Sequence, residues 1–150
     1  MSIDKSAALI FLHGEGASGP REVRTALDCL PLGDAFEFKT FHQVADEQGI
    51  ALCTPIAREI AYTPSFGESV PAWFNRSSDY HRLGRDDIYE DRQRIQESLA
   101  TLQQIITEVA QRHRFIFIGG FGMGGELVLQ LLRAVWLPAS VVGVFSISSI

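Results

Sequence analysis

The chain has 150 residues, 46% of them apolar, and its eighteen acidic and thirteen basic side chains leave a formal charge of -5. That is enough apolar material for one core of ordinary size. The acidic balance excludes a general nucleic-acid binder, whose phosphate contacts need a basic surface. Cys29 and Cys53 stand alone, without redox or metal spacing, and are expected as reduced thiols packed like small hydrophobes. No apolar run reaches the roughly 18 residues of a membrane span, and no basic leader precedes the first apolar segment. A single-domain cytoplasmic chain with no transmembrane segment is therefore expected.

Ala7 to Leu12, apolar throughout, predict a first buried strand, followed directly by His13-Gly14-Glu15-Gly16 as a loop. The His13 ring is expected to bond loop backbone and fix its shape. Pro20 opens a helix running to about Leu30 with Val23 and Leu27 on one face, and Pro31 to Asp34 stop it. Phe36 to Gln48 read as a loop and a short helix. Gly49 to Cys53 are the second strand, ended by Thr54-Pro55. Ala57 to Tyr80, punctuated by Pro64, Gly67 and Pro71, read as irregular, and a long loop inside a compact domain tends to be functional.

Tyr80 to Arg92 are the most charged stretch. Its carboxylates and His81 lack a ligand loop and suit the positive end of a following helix, so no metal site is expected. Ile88, Ile95, Leu99, Leu102, Ile106 and Val109 recur at steps of three, four and seven, one apolar face over several turns. Gln93, Glu97, Gln104 and Glu108 take the wet side of this crossover helix. Phe115 to Ile118 predict a fully buried parallel strand, and Leu127 to Trp136 a helix buried over most of its surface. Beyond Pro138, Val141 to Ile147 form the fourth strand. Its apolar edge is expected to need cover, from further chain or from a second copy in a homodimer, or else to leave the protein poorly stable. Ser146, Ser148 and Ser149 are poor nucleophile candidates, since none sits in a glycine turn beside a base. The order of elements predicts an α/β fold, a parallel sheet with helices on both faces.

The glycine turn between the Phe115 strand and the Leu127 helix admits three readings. Gly120-Phe-Gly122-Met-Gly-Gly125 satisfies G-x-G-x-x-G, the dinucleotide fingerprint. That fingerprint wants an acid about 20 positions on to hold the ribose, and no Asp or Glu follows Glu126. The same residues are one substitution from G-x-S-x-G, the nucleophile elbow, with Gly122 at the serine position. The third reading is a turn kept for close packing alone.

The beginning of the chain favours the elbow. Ile10-Phe-Leu-His-Gly-Glu-Gly-Ala-Ser-Gly19, Val70-Pro-Ala-Trp-Phe74, Ile118-Gly-Gly-Phe-Gly-Met-Gly-Gly125 and Gly143-Val-Phe-Ser-Ile-Ser-Ser149 lie in one order along nearly the whole chain. In these segments and their order the sequence resembles the acyl-protein thioesterase and lysophospholipase-like (phospholipase/carboxylesterase) branch of the α/β-hydrolases. The resemblance implies an α/β-hydrolase-type parallel sheet, no cofactor, and acyl esters or S-acylated proteins as substrates. It implies the backbone N–H groups of Glu15 and Met123 as oxyanion donors, and Trp73, Phe74, His13 and Gly14 beside the acyl site. The departures are as informative. Gly122 replaces the family's serine, and Asn75 replaces the Asp after Trp-Phe, which is expected to loosen that loop. The family's catalytic Asp and His lie past the strand ending near Ile150. Residues 1–150 are thus expected as a single, incomplete domain, inactive by the acyl-enzyme route. The readings are a serine-esterase lineage, a non-catalytic acyl- or partner-binding pseudo-hydrolase, or a dinucleotide-binding module.

Overall fold

Six strands and three helices are bounded in the computed structural model, which describes residues 5–16, 39–76, 91–134 and 136–147 with Arg21, Val23, Leu27 and Asp28. The strands are β1 (Ala7–Leu12), β2 (Ile50–Cys53), β3 (Glu59–Tyr62), β4 (Glu68–Pro71), β5 (Phe115–Phe121) and β6 (Val141–Ile147). β2, β1, β5 and β6 pair in that order, all parallel. The register sets Ala7 opposite both Ile50 and Phe115, and Leu12 opposite Gly120. The C-terminal ends of β1 and β5 therefore lie side by side, where an open α/β sheet places its ligands.

β1 is buried on both faces because each is covered. Ile10 and Leu12 join Ile116 and Ile118 under the long helix Arg92–Ala110, which contributes Ile95, Leu99, Leu102 and Ile106 as its periodicity predicts. Leu9 and Phe11 meet Val23 and Leu27 on the opposite face, and both of those residues are helical. The N-terminus of the long helix is capped by Asp91, which accepts the Arg94 N–H. Ile88, the charged stretch before Asp91 with His81, and the Pro31–Asp34 stop lie outside the described residues. The short helix read within residues 36–48 runs Phe41–Glu47, closed at its start by a capping box between Thr40 and Gln43.

Three expectations are corrected. The segment read as irregular contains the antiparallel hairpin β3–β4, with Ile60 and Tyr62 alternating inward from exposed Glu59 and Ala61. β5 extends to Phe121 and is not buried on both sides: Phe115, Phe117 and Phe121 remain 41%, 37% and 46% exposed. The cluster built on Leu9 and Phe11 covers β1 and β2 but leaves the phenylalanine side chains of β5 exposed, while Ile116 and Ile118 are sealed on the other face. The helix after the turn runs Met123–Ala134 and buries Met123, Leu127, Val128 and Leu131, while Leu129 and Leu132 face outward. On the open face two phenylalanines each cover a glycine of the neighbouring strand. The Phe145 ring sits on Gly119 and the Phe117 ring on Gly143, so a side chain on either glycine would displace a ring.

Candidate active site

β5 turns into the helix Met123–Ala134 through one residue, Gly122, at φ +55°. Its N–H donates to the Ile147 carbonyl at 2.9 Å and its carbonyl accepts the Glu126 N–H at 3.0 Å. A β-carbon placed on Gly122 would have Glu15 Oε2 at 3.7 Å and Gly14 Cα at 3.9 Å as its nearest neighbours. Space is available there; the left-handed backbone is what favours glycine. Gly124 is glycine for the opposite reason. A β-carbon on it would strike the Leu12 carbonyl and lie 2.5 Å from the His13 oxygen. One on Gly120 would lie 2.6 Å from the Gly125 nitrogen. Strand, helix and the end of β1 approach more closely than any side chain permits. That contact brings the His13–Gly16 loop against the elbow.

The loop is fixed from several sides. His13 is buried, and its Nε2 accepts the Ala57 N–H at 2.9 Å. Nε2 is therefore the unprotonated nitrogen, and Nδ1–H donates to the Gly14 carbonyl. Trp73 Nε1–H donates to the His13 carbonyl at 2.9 Å, with the two rings 5.1 Å apart. Gly16 N–H reaches the Pro71 carbonyl at 3.0 Å, joining the loop to β4. His13 shapes the loop through its backbone partners, and the Gly14 and Glu15 it positions are the residues nearest the elbow.

Trp73 and Phe74 are buried in the main core, so both anchor their segment. The Trp73 carbonyl accepts the Ser98 hydroxyl, and the Arg76 guanidinium lies 5.2 Å over the Phe74 ring. Asn75 does not loosen the segment. Its Oδ1 accepts the Thr63 N–H and its Nδ2 donates to Thr63 Oγ1, each at 2.9 Å, a pairing for which a carboxylate has no donor.

Three residues that the sequence did not single out form a polar cluster at the first turn of the elbow helix. Arg76 pairs with Glu126 in the first turn of the elbow helix at 2.9 Å, with side chains 6% and 19% exposed. Tyr62, at the end of β3, hydrogen-bonds Arg76. Burial, reinforced by the Glu15 charge and opposed by Arg76, pushes the Tyr62 hydroxyl up from 10.0 to about 12. Below pH ~10 the phenol keeps its proton in both folded and unfolded chains, and its contribution to stability is fully present. Between about pH 10 and 12 the unfolded chain ionises first, so stability falls, by on the order of 1 kcal/mol after allowance for solvent screening. Tyr62→Phe should flatten that limb of the stability–pH curve in urea titrations; parallel losses in both proteins would show that Tyr62 is not its source.

Burial likewise raises the thiol of half-buried Cys53, which stays protonated and unreactive at neutral pH. Cys29 lies outside the described residues. Among the described residues there is no group of three or more His, Cys, Asp or Glu able to hold a metal, and no helix long and apolar enough to cross a membrane.

A left-handed elbow at the end of a central parallel strand, faced by a His-Gly loop from the neighbouring strand, is the layout of an α/β-hydrolase. The sequence profile of the phospholipase/carboxylesterase family matches residues 2–150, and the chain belongs to that family. Acyl-protein thioesterase 2 of Zea mays shares the fold with a TM-score of 0.67 at 19% identity, over 96% of this chain and 57% of its own. SOBER1 of Arabidopsis thaliana, as a leucine-to-alanine variant, gives a TM-score of 0.65 at 20% identity, over 95% of this chain and 61% of its own. The chain thus spans less than two thirds of either structure's length.

Proposed function

We propose that the chain binds the acyl group of an ester or an S-acylated protein at the elbow and forms no acyl-enzyme there. The observation that carries this reading is Gly122, which has the backbone of a nucleophile elbow without a hydroxyl. A serine hydrolase needs that oxygen to attack the acyl carbonyl. Recognition of the carbonyl does not need it. The Met123 N–H belongs to the first helical turn, whose donors lack intrahelical acceptors, and with the Glu15 N–H it is assigned to the carbonyl oxygen. Gly14 borders this point, while His13, Trp73 and Phe74 hold its walls in place. That the Zea mays relative is named an acyl-protein thioesterase supports an acylated ligand.

Calorimetric titration with a long-chain acyl thioether, which cannot be hydrolysed, should give saturable binding at one site per chain. No binding up to millimolar concentration would sink the proposal. Gly122→Ser is expected to lower the stability by about 1–2 kcal/mol, the cost of a left-handed side-chain-bearing residue. An unchanged or raised urea midpoint would contradict it. The formal charge of -5 argues against nucleic-acid binding, and two isolated cysteines suit a reducing, cytoplasmic compartment.

A further inference from the structure

At Gly122 the position of the missing nucleophile is faced by a carboxylate. Glu15 Oε2 lies 3.7 Å from the place a β-carbon would occupy, the nearest atom outside Phe121, Gly122 and Met123. A hydroxyl would extend one bond beyond that carbon, so a water molecule replacing it falls within hydrogen-bonding reach of Glu15. The Glu15 side chain is exposed, and among the described residues it has no hydrogen-bond or ion-pair partner. Arg76, the nearby cation, is held by Glu126 at 2.9 Å. The carboxylate is thereby available to accept a proton at the point where an acyl carbonyl would be presented.

We infer that Glu15 is a catalytic general base for direct attack of water on a bound acyl thioester, a slow hydrolysis without a covalent intermediate. This rests on the acyl-binding reading of the elbow. The water oxygen bonds to the acyl carbon while one of its protons passes to Glu15 Oε2. The carbonyl electron pair moves onto its oxygen, against the N–H groups of Met123 and Glu15. Collapse re-forms the carbonyl and breaks the carbon–sulfur bond, and the departing thiolate takes the proton back from Glu15. The products are a carboxylic acid and a thiol. Thioesters are the favoured class because a thiolate, far less basic than an alkoxide, leaves without prior protonation. Gly122 acquires a role: it leaves room for the water.

The test uses the full chain with a long-chain acyl thioester in ¹⁸O-labelled water, reading acid release, label incorporation and the intact protein mass. A positioned general base contributes roughly 10²–10⁴-fold. Glu15→Gln should therefore lower kcat about 10²-fold or more with little change in KM, and Glu15→Asp should recover part of the loss. Wild type should release acid carrying one ¹⁸O and show no acylated protein. Equal rates for wild type and Glu15→Gln, or an acyl adduct on the protein, would overturn the inference. Thioether binding measured on the same preparations separates the two claims. Binding without Glu15-dependent turnover removes this inference alone, while loss of binding in wild type removes the acyl-binding reading beneath it.

Discussion

Gly124→Ala should cost about 3 kcal/mol or more, or prevent folding, whereas Gly122→Ala should cost only about 1–2 kcal/mol. The two glycines are two residues apart but answer to different physics. At Gly124 the added carbon would press on the carbonyls of Leu12 and His13, backbone at the end of a central strand with no flexible side chain to yield. Relief would require moving the helix Met123–Ala134 off β1 and β5, opening the contacts of Met123, Leu127 and Val128. At Gly122 the nearest atoms stand 3.7 and 3.9 Å away, and only the +55° φ resists a side chain. Urea unfolding of the two variants tests the ranking. Equal losses, or a larger loss at Gly122, would mean that the strand–helix contact is looser than described.

Arg76→Ala and Glu126→Ala should each destabilise by about 3 kcal/mol, because removing one partner leaves the other's largely desolvated charge without its close counter-ion. Arg76 has the sharper effect to lose: it bridges β3 through Tyr62, the aromatic segment through Phe74 and the elbow helix through Glu126. Replacing both partners by apolar residues of similar length, Arg76→Met with Glu126→Leu, should restore most of the stability, since the desolvation of both charges is relieved together. A double-mutant cycle measures the coupling directly. Strictly additive single losses would show that the ion pair contributes nothing as a pair.

The sequence made the frame legible where local pattern and tertiary need coincide. β1 and β6 take the bounds read from their apolar runs, and the long helix buries Ile95, Leu99, Leu102 and Ile106 as spaced. The tight turn from β5 into the following helix was legible because glycines at 120, 122 and 124 separate an apolar strand from an apolar helix. The hairpin escaped because β3 offers only four residues of alternation, too short a run between Pro55 and Pro64 to outweigh the turn signals. The exposure of Phe117 and Phe121 was not readable at all: an apolar strand looks the same whether one face is covered or two. The Arg76–Glu126 pair was equally hidden, since each residue sits in an unremarkable local context and only the fold joins them.

The central claim is that the elbow holds an acyl group and makes no bond to it. Native mass spectrometry after brief exposure to an excess of an activated long-chain acyl ester tests both halves in one experiment. The expected spectrum shows a one-to-one complex under native conditions that disappears completely when the same sample is denatured. An acyl adduct that survives denaturation would contradict the claim, and so would the absence of any complex.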